Sequence, residues 1–445
     1  MTPLERFPVN RPKPFPQRNP IAYRNFLRAK YEAYTGQVTV TSRPYYLAVD
    51  PCDACNLRCP TCPTGIENES RRGELPILPF RRKRSVMAPE LFDCVLDELG
   101  DFLFIILFYN FGEPTSNKQL PSFVEKATAR GIATEVHSNL SLPLTDEYIE
   151  NLLRSGLSYL YASIDGFSQE TYEKHRRGGN LALVLRNLER FAATRDRLGL
   201  STEIVFNFLR FSFNEHEIPD AARYSESIGV GFIPREAFVN DPGWLPSHRT
   251  EDRPWEVPKE VQLGPDMGLT WMPAMPGVSK EGWPSSCGWH YGYSVVQPGG
   301  ELAPCCAVPW ESFDMGRIDP GKVSFGDVWN NDSYREARAH FAAGRPDTES
   351  NSASPLCTRC PWPRWVLQLY SMNDSKVIGA FHEAAKGADP AMARAFDLFC
   401  QVRFGVTTDE FCQSSHFPSD YVFAGKEDPV GTAAFVEFMR GNLGA

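Results

Sequence analysis

The stretch YYLAVDPCDACNLRCPTC, Tyr45 to Cys62, joins two signals. Its first half, YYLAVD, is short, apolar and aromatic, which predicts a buried strand. Its second half is a loop carrying Cys52, Cys55, Cys59 and Cys62. Cys55, Cys59 and Cys62 are spaced C-x3-C-x2-C. Three thiolates on one loop can hold three irons of a cubane cluster and leave the fourth iron open. Structural zinc usually takes four protein ligands, commonly as two C-x2-C pairs. The spacing therefore favours an iron–sulfur site with a vacant coordination position. Cys52 lies outside the triad and reads as a spare buried thiol.

Outward from this loop the chain alternates between strand and helix. APELFDCVLDELG (88–100) has helical spacing and FLFIILFYNF (102–111) is a strand. LPSFVEKATARG (120–131) is a helix stopped by glycine, IATEVHSN a strand, and TDEYIENLLRSG (145–156) a Thr-capped helix. LSYLYASIDG, STEIVFNFLR and VGFIPREAF read as further strands, with helices over 180–199 and 216–229 between them. Six such alternations argue for a parallel α/β sheet, open or barrel-like, with chemistry at the carboxyl ends of its strands.

Composition narrows the class. The 445 residues carry a formal net charge of -9, so non-specific nucleic-acid binding is not expected. The N-terminus lacks an apolar signal core, and FLFIILFYNF is too short to span a bilayer. These features predict a cytoplasmic protein with no membrane segment. In a reducing compartment, twelve cysteines point to metal or redox chemistry rather than disulfides.

Residues 1–44 read as an N-terminal arm with a short helix over 22–36, and 45–239 as the α/β core. Residues 240–286 are rich in Pro, Gly and Trp without periodicity, and read as a linker or ordered lid. A second set of cysteines follows in 287–363: Cys287, Cys305, Cys306, Cys357 and Cys360. SVVQPGGELAPC reads as a hairpin turning at Gly299–Gly300, and FGDVWNNDSYREARAHFAAG starts a helix. Four cysteines in such a module suit a cubane cluster or zinc about equally by residue type. Residues 364–445 read as a helical extension.

The CNLRCPTC loop resembles the cluster motif of the radical S-adenosylmethionine superfamily. The resemblance implies a partial (β/α)6 TIM-like barrel. It also implies an open iron that chelates the amino and carboxylate groups of S-adenosylmethionine, and reductive cleavage to a 5′-deoxyadenosyl radical. FGEP (111–114), where the family usually has GGEP, implies that Gly112 and Glu113 lie near the methionine amino group. HSN, ending in Asn139, closes the third strand, and SIDG, with Ser163 and Asp165, resembles a motif near the ribose and carboxylate. Asn207 and Arg210 are further candidates on the fifth strand. Thr61 is a departure, because many members place an adenine-stacking aromatic residue there. The later cysteines resemble the SPASM and twitch type of auxiliary-cluster module. Cys287, Cys305, Cys357 and Cys360 match the ligands of a single auxiliary [4Fe-4S] cluster, with Cys306 the alternative to Cys305. A fully ligated cluster implies electron transfer, and the superfamily implies an external donor, a flavodoxin or ferredoxin.

The resemblance leaves three substrate readings. One is a ribosomal peptide, by epimerisation or crosslinking. Another is a sugar or aminocyclitol, by dehydrogenation or epimerisation. The third is a non-catalytic iron–sulfur or zinc protein. An epimerase needs a hydrogen-atom donor, and Cys400 and Cys412 are candidates, although Cys400 also fits the apolar face of its helix. Arg71, Arg72 and the run Arg81–Arg84 read as an anion-binding rim or as a solvated loop.

Overall fold

The computed structural model describes residues 14–73, 83–236, 242–244, 246, 287–306, 308–342, 363–384, 389–413 and 429–442. Cys357, Cys360, Arg81, Arg82 and nearly all of the expected linker lie outside the described residues.

Six strands, β1 (Tyr46–Val49), β2 (Ile105–Phe108), β3 (Ala133–Ser138), β4 (Tyr159–Ser163), β5 (Glu203–Arg210) and β6 (Gly231–Glu236), run parallel and in chain order. The expected alternation is present, and the sheet stays open. Side-chain period sets its two faces. Leu47, Val49, Ile106, Phe108 and Leu160 face outward into a core under the helices. That layer is built by α3 (Pro89–Leu99), α4 (Leu120–Ala129), α5 (Asp146–Arg154), α7 (Leu181–Leu198) and α8 (Ile218–Ser227). Thr145 caps α5 by accepting from Tyr148 N, as the sequence predicts.

Two helices were not legible as separate elements. One is α2 (Pro63–Arg71), directly after the cysteine loop, and the other is α6 (Gln169–His175), directly after β4. The inner face carries Tyr46, Ala48, Ile105 and Leu107. It is closed at one end by α1 (Pro20–Tyr34) and by α12 (Pro390–Phe404) from the C-terminal extension. Phe26 of α1 stacks on Phe396 at 5.7 Å and meets Phe399 edge-on at 5.3 Å. The expected N-terminal arm is therefore docked from α1 onward, held by buried rings.

The later cysteine module begins on this same sheet. β7 (Tyr293–Val296) lies parallel to β1, with Tyr46 opposite Tyr293, and β8 (Glu301–Ala303) and β9 (Gly316–Arg317) follow antiparallel. The full order is β6-β5-β4-β3-β2-β1-β7-β8-β9. The predicted hairpin is β7–β8, and the predicted helix is two, α9 (Phe325–Trp329) and α10 (Asp332–Ala342). A capping box between Ser324 and Asp327 starts α9. Arg338 of α10 is fully buried and donates to the carbonyls of His290, Trp329 and Val38 at 2.7, 2.8 and 3.2 Å. One guanidinium thus ties the module to the segment leading into β1. Among the described residues no helix is long and apolar enough to cross a membrane.

Burial, reinforced by Arg338, lowers the pKa of His290 to about 3. The ring is neutral in the folded protein, whereas the unfolded chain protonates near pH 6.5. Stability is therefore complete above that value and declines as pH falls toward the folded pKa, by about 1.4 kcal/mol per unit. A His290→Gln variant should lose this term. Urea unfolding followed from pH 7 to pH 5 should show a shallower pH slope than wild type, by about 2 kcal/mol over the range. Parallel slopes would refute the assignment.

Candidate active site

The cysteine loop leaves the carboxyl end of β1 and is fixed on two sides. Toward β2, the fully buried Asp50 accepts from Phe111 N at 3.1 Å, and Glu113 N donates to Ala54 O at 2.9 Å. A Cβ on Gly112 would lie 1.3 Å from Cys52 O, so only glycine allows this approach. Toward α2, Cys62 is the N-cap and Pro63 takes the first turn. A Cβ on Gly65 would lie 2.1 Å from Cys59 O. Asn68 of α2 donates to the carbonyls of Leu57 and Cys55 at 2.7 and 3.0 Å, and is itself held by Arg84. Arg84, read as part of an anion-binding rim or of a solvated loop, therefore braces the cysteine loop.

The thiols of Cys55, Cys59 and Cys62 lie close enough to influence one another electrostatically. Burial, joined by Glu113, pushes the Cys55 thiol well up, and burial pushes Cys59 to about 12. The desolvated Cys55 and Cys59, with the half-buried Cys62 on the same loop, suit an anionic cluster, because ligation removes their protons. The donors around them fit as well. Leu57 N lies 3.5 Å from Cys55 Sγ, Asn139 Nδ2 3.6 Å from the same sulfur, and Arg176 4.0 Å from Cys59 Sγ. Cys52 is buried apart from them with its thiol near Ala54 O, as a spare thiol would be.

Two expected cofactor contacts are bound internally. Glu113 Oε1 accepts from Ser138 Oγ, Thr115 Oγ1 and Thr115 N at 2.7, 2.6 and 3.1 Å, and its Oε2 accepts from Asn139 N at 2.8 Å. Asp165 is fully buried. Its Oδ2 meets His175 Nδ1 at 2.7 Å and Arg176 Nε at 2.5 Å, while Oδ1 accepts from Leu209 N at 3.0 Å. Burial works against the Asp165 carboxylate, but Arg176 and His175 together hold its pKa below the ordinary range. Both acids sit where the motifs put them and act as anchors between strand ends.

Beyond Asp165, His175 Nε2 pairs with Thr61 Oγ1 at 2.7 Å. Thr61 therefore fastens the loop to β4, through a His175 that sequence reading passed over. The only available signal was the departure at Thr61, and its partner is 114 positions away. Asn139 braces the loop further by donating to Asn56 Oδ1 at 3.0 Å. The next residue, Leu140, takes a left-handed φ of 51°, held by Asn187 donating to Leu140 O at 2.9 Å.

Ser163 and Asn207 face each other across β4 and β5. Asn207 is 7% exposed, and its Oδ1 has no hydrogen-bond partner among the described residues. Arg210 ends β5 on the same sheet. Cys400, expected as a hydrogen-atom donor, is fully buried among the rings of α1 and α12. It is a core residue with no face for substrate. Cys412 is half-buried against the same cluster.

Cys287 precedes β7 and Cys305 and Cys306 follow β8. Cys287 lies near Tyr291 and Cys305 near Tyr334, two rings that both flank Arg338. Cys306 accepts from the hydroxyl of Tyr109, just beyond β2.

Comparison with known proteins agrees with this arrangement. Residues 49–218 match the Radical SAM superfamily, and residues 287–361 match the SPASM iron-sulfur cluster-binding domain. The chain is 26% identical over 187 residues to Fe-coproporphyrin III synthase of Methanosarcina barkeri, covering 42% of this chain and 41% of that protein. It is 25% identical to GTP 3',8-cyclase of Peptoclostridium acidaminophilum, covering 53% and 65%. It is 24% identical to PqqA peptide cyclase of Rhodopseudomonas palustris, covering 64% and 73%. The first two matches thus span less than two thirds of the relatives' own lengths. Among solved structures, SuiB of Streptococcus suis bound to precursor peptide SuiA aligns with a TM-score of 0.48 at 13% identity, covering 77% of this chain and 76% of SuiB. BtrN in complex with AdoMet and 2-DOIA aligns with a TM-score of 0.40 at 17% identity, covering 71% and 92%. With the cysteine loop at the end of β1 and the second cysteine module on the same sheet, the chain carries a radical SAM domain over residues 49–218 and a SPASM-type iron–sulfur domain over residues 287–361.

Proposed function

We propose that this protein cleaves S-adenosylmethionine reductively at a [4Fe-4S] cluster held by Cys55, Cys59 and Cys62, and directs the radical chemistry at a peptide. The observation that carries the reading is a loop bearing Cys55, Cys59 and Cys62 that is braced from β2, β3, β4 and α2. When bound, the cluster supplies the electron that yields the 5′-deoxyadenosyl radical. The chain's own groups position the rest. Gly112 leaves room for close backbone approach beside the loop. Ser163, Asn207 and Arg210 offer polar groups to the cofactor at the strand ends. Glu113 and Asp165 hold those ends in register, and Asn139 donates toward Cys55.

In the second module, Cys287, Cys305, Cys357 and Cys360 hold an auxiliary [4Fe-4S] cluster for electron transfer, with a flavodoxin or ferredoxin as external donor. The nearness of Cys287 and Cys305 to the two rings that flank Arg338, with Cys306 engaged by Tyr109, supports this set. The similarity to PqqA peptide cyclase favours a peptide substrate, with an oxidoreductase or isomerase outcome.

Anaerobic reconstitution should yield about eight irons per chain, from two four-iron clusters. Cys55→Ala, Cys59→Ala and Cys62→Ala should each abolish 5′-deoxyadenosine formation, read by chromatography. Four irons plus one zinc would exclude the auxiliary cluster, and a triad variant that still cleaves S-adenosylmethionine would sink the whole reading. Peptide and sugar substrates can be compared by substrate-dependent 5′-deoxyadenosine, with deuterium transfer marking the carbon attacked.

A further inference from the structure

The inner face of the sheet changes character between β3 and β6. On β4 the outward residues Leu160 and Ala162 are fully buried, whereas the inward Tyr159, Tyr161 and Ser163 stay partly exposed. The inner wall here is wet, unlike its apolar counterpart around β1 and β2. Register places Glu135 beside Tyr159 and His137 beside Tyr161. His137 stacks on Tyr161 at 4.7 Å and 15°, and its Nε2 lies 2.5 Å from Glu135 Oε1.

Two cations stand over these tyrosines. Arg235 of β6 lies 5.3 Å from the Tyr161 ring. Lys376, on α11 (Pro363–Ala384), lies 5.3 Å from the rings of both Tyr159 and Phe15. Neither side chain makes a hydrogen bond or ion pair with another described residue. The acids they feel most are already engaged: Glu135 pairs with His137, and Glu203 has a partner of its own. A ring face satisfies part of a cation's field but none of its N–H donors. Burial lowers the Lys376 pKa, although Glu135 and Glu203 act against the shift.

We propose that Arg235 and Lys376 form a carboxylate subsite on the inner wall, which takes an acidic side chain or the chain-terminal carboxylate of the substrate peptide. The proposal rests on the peptide reading above and deepens it. Arg235 offers a planar fork and Lys376 a point charge, so together they fix both orientation and depth of the carboxylate.

The test is ligand binding by saturation-transfer NMR on the reconstituted enzyme, without turnover. Three probes are compared: N-acetyl-glutamate α-amide, N-acetyl-alanine and N-acetyl-glutamine α-amide. Binding of the first identifies a side-chain carboxylate, binding of the second a chain terminus, and the third should stay unbound. Arg235→Gln and Lys376→Met should each weaken the bound carboxylate at least tenfold, and Lys376→Arg should retain it. Arg235 is exposed, and Met keeps the aliphatic stem of Lys376 on its rings, so both variants should fold. Equal binding of the neutral probe, no binding of either carboxylate, or undiminished binding in the double variant would overturn the subsite. Because no 5′-deoxyadenosine is needed, failure of the radical reading would show separately.

Discussion

Gly112→Ala is expected to leave a protein that folds its sheet but takes up no iron at the Cys55 loop. The added Cβ would sit 1.3 Å from Cys52 O, 2.4 Å from Cys52 C and 2.9 Å from Asp53 Cα. All three are backbone atoms, so no side chain can swing aside. Either the turn after β2 or the cysteine loop must retreat. Retreat breaks the Glu113 N to Ala54 O bond and the hold of Asp50 on Phe111 N. The loop that carries Cys55, Cys59 and Cys62 then shifts, although no cysteine has changed. Iron content and the visible absorption of the reconstituted protein read the effect, with circular dichroism as the check on the sheet. Wild-type iron uptake would show that the loop tolerates the displacement and is less tightly fixed than its packing indicates.

Asp165→Asn separates an anchor from a cofactor contact. An anchor role predicts a large loss in the protein alone, before any S-adenosylmethionine is added. The carboxylate is fully buried and joins His175, Arg176 and Leu209 N. Removing its charge leaves the buried Arg176 guanidinium without a counter-ion, an effect of roughly 3–5 kcal/mol in comparable sites. Denaturant unfolding of the cofactor-free protein measures it. The second variant, Asp165→Asn with Arg176→Met, should recover part of the stability because the orphaned charge is gone. A variant with wild-type stability and weaker S-adenosylmethionine binding would reverse the assignment. The wild-type interaction persists above the ordinary aspartate range and is lost only as pH falls through the lowered Asp165 pKa.

Asp165 and Glu113 also show how far the sequence can be read. Their positions at strand ends follow from periodicity and motif, and the structure keeps both positions. Their roles do not follow, because the partners lie far along the chain. Ser138 and Asn139 meet Glu113 from β3, and His175 meets Asp165 from a short helix hidden in what reads as a loop. The core strands were legible because apolar periodicity is local. The placement of β7 beside β1 was not, since the two lie some 250 residues apart and no short-range pattern encodes their pairing. Likewise, the apolar surroundings of Cys400 were legible from its helix, whereas the turn of Cys306 toward Tyr109 needed the sheet itself.

The pairing of β7 with β1 has a consequence for any dissection of the chain. Both hydrogen-bonding sides of β1 are occupied, by β2 and by β7. Tyr45 N and Asp50 N, at its two ends, donate to Gly292 O and Val296 O. Cutting the chain before Cys287 would bare the whole length of an apolar edge whose four residues are otherwise buried. Such an edge recruits other strands and aggregates. A truncated core would therefore precipitate for reasons unrelated to any cluster, and its inactivity would say nothing about electron transfer. The role of the second module has to be tested by single ligand substitutions, with β7 left in its place to cover the edge of β1.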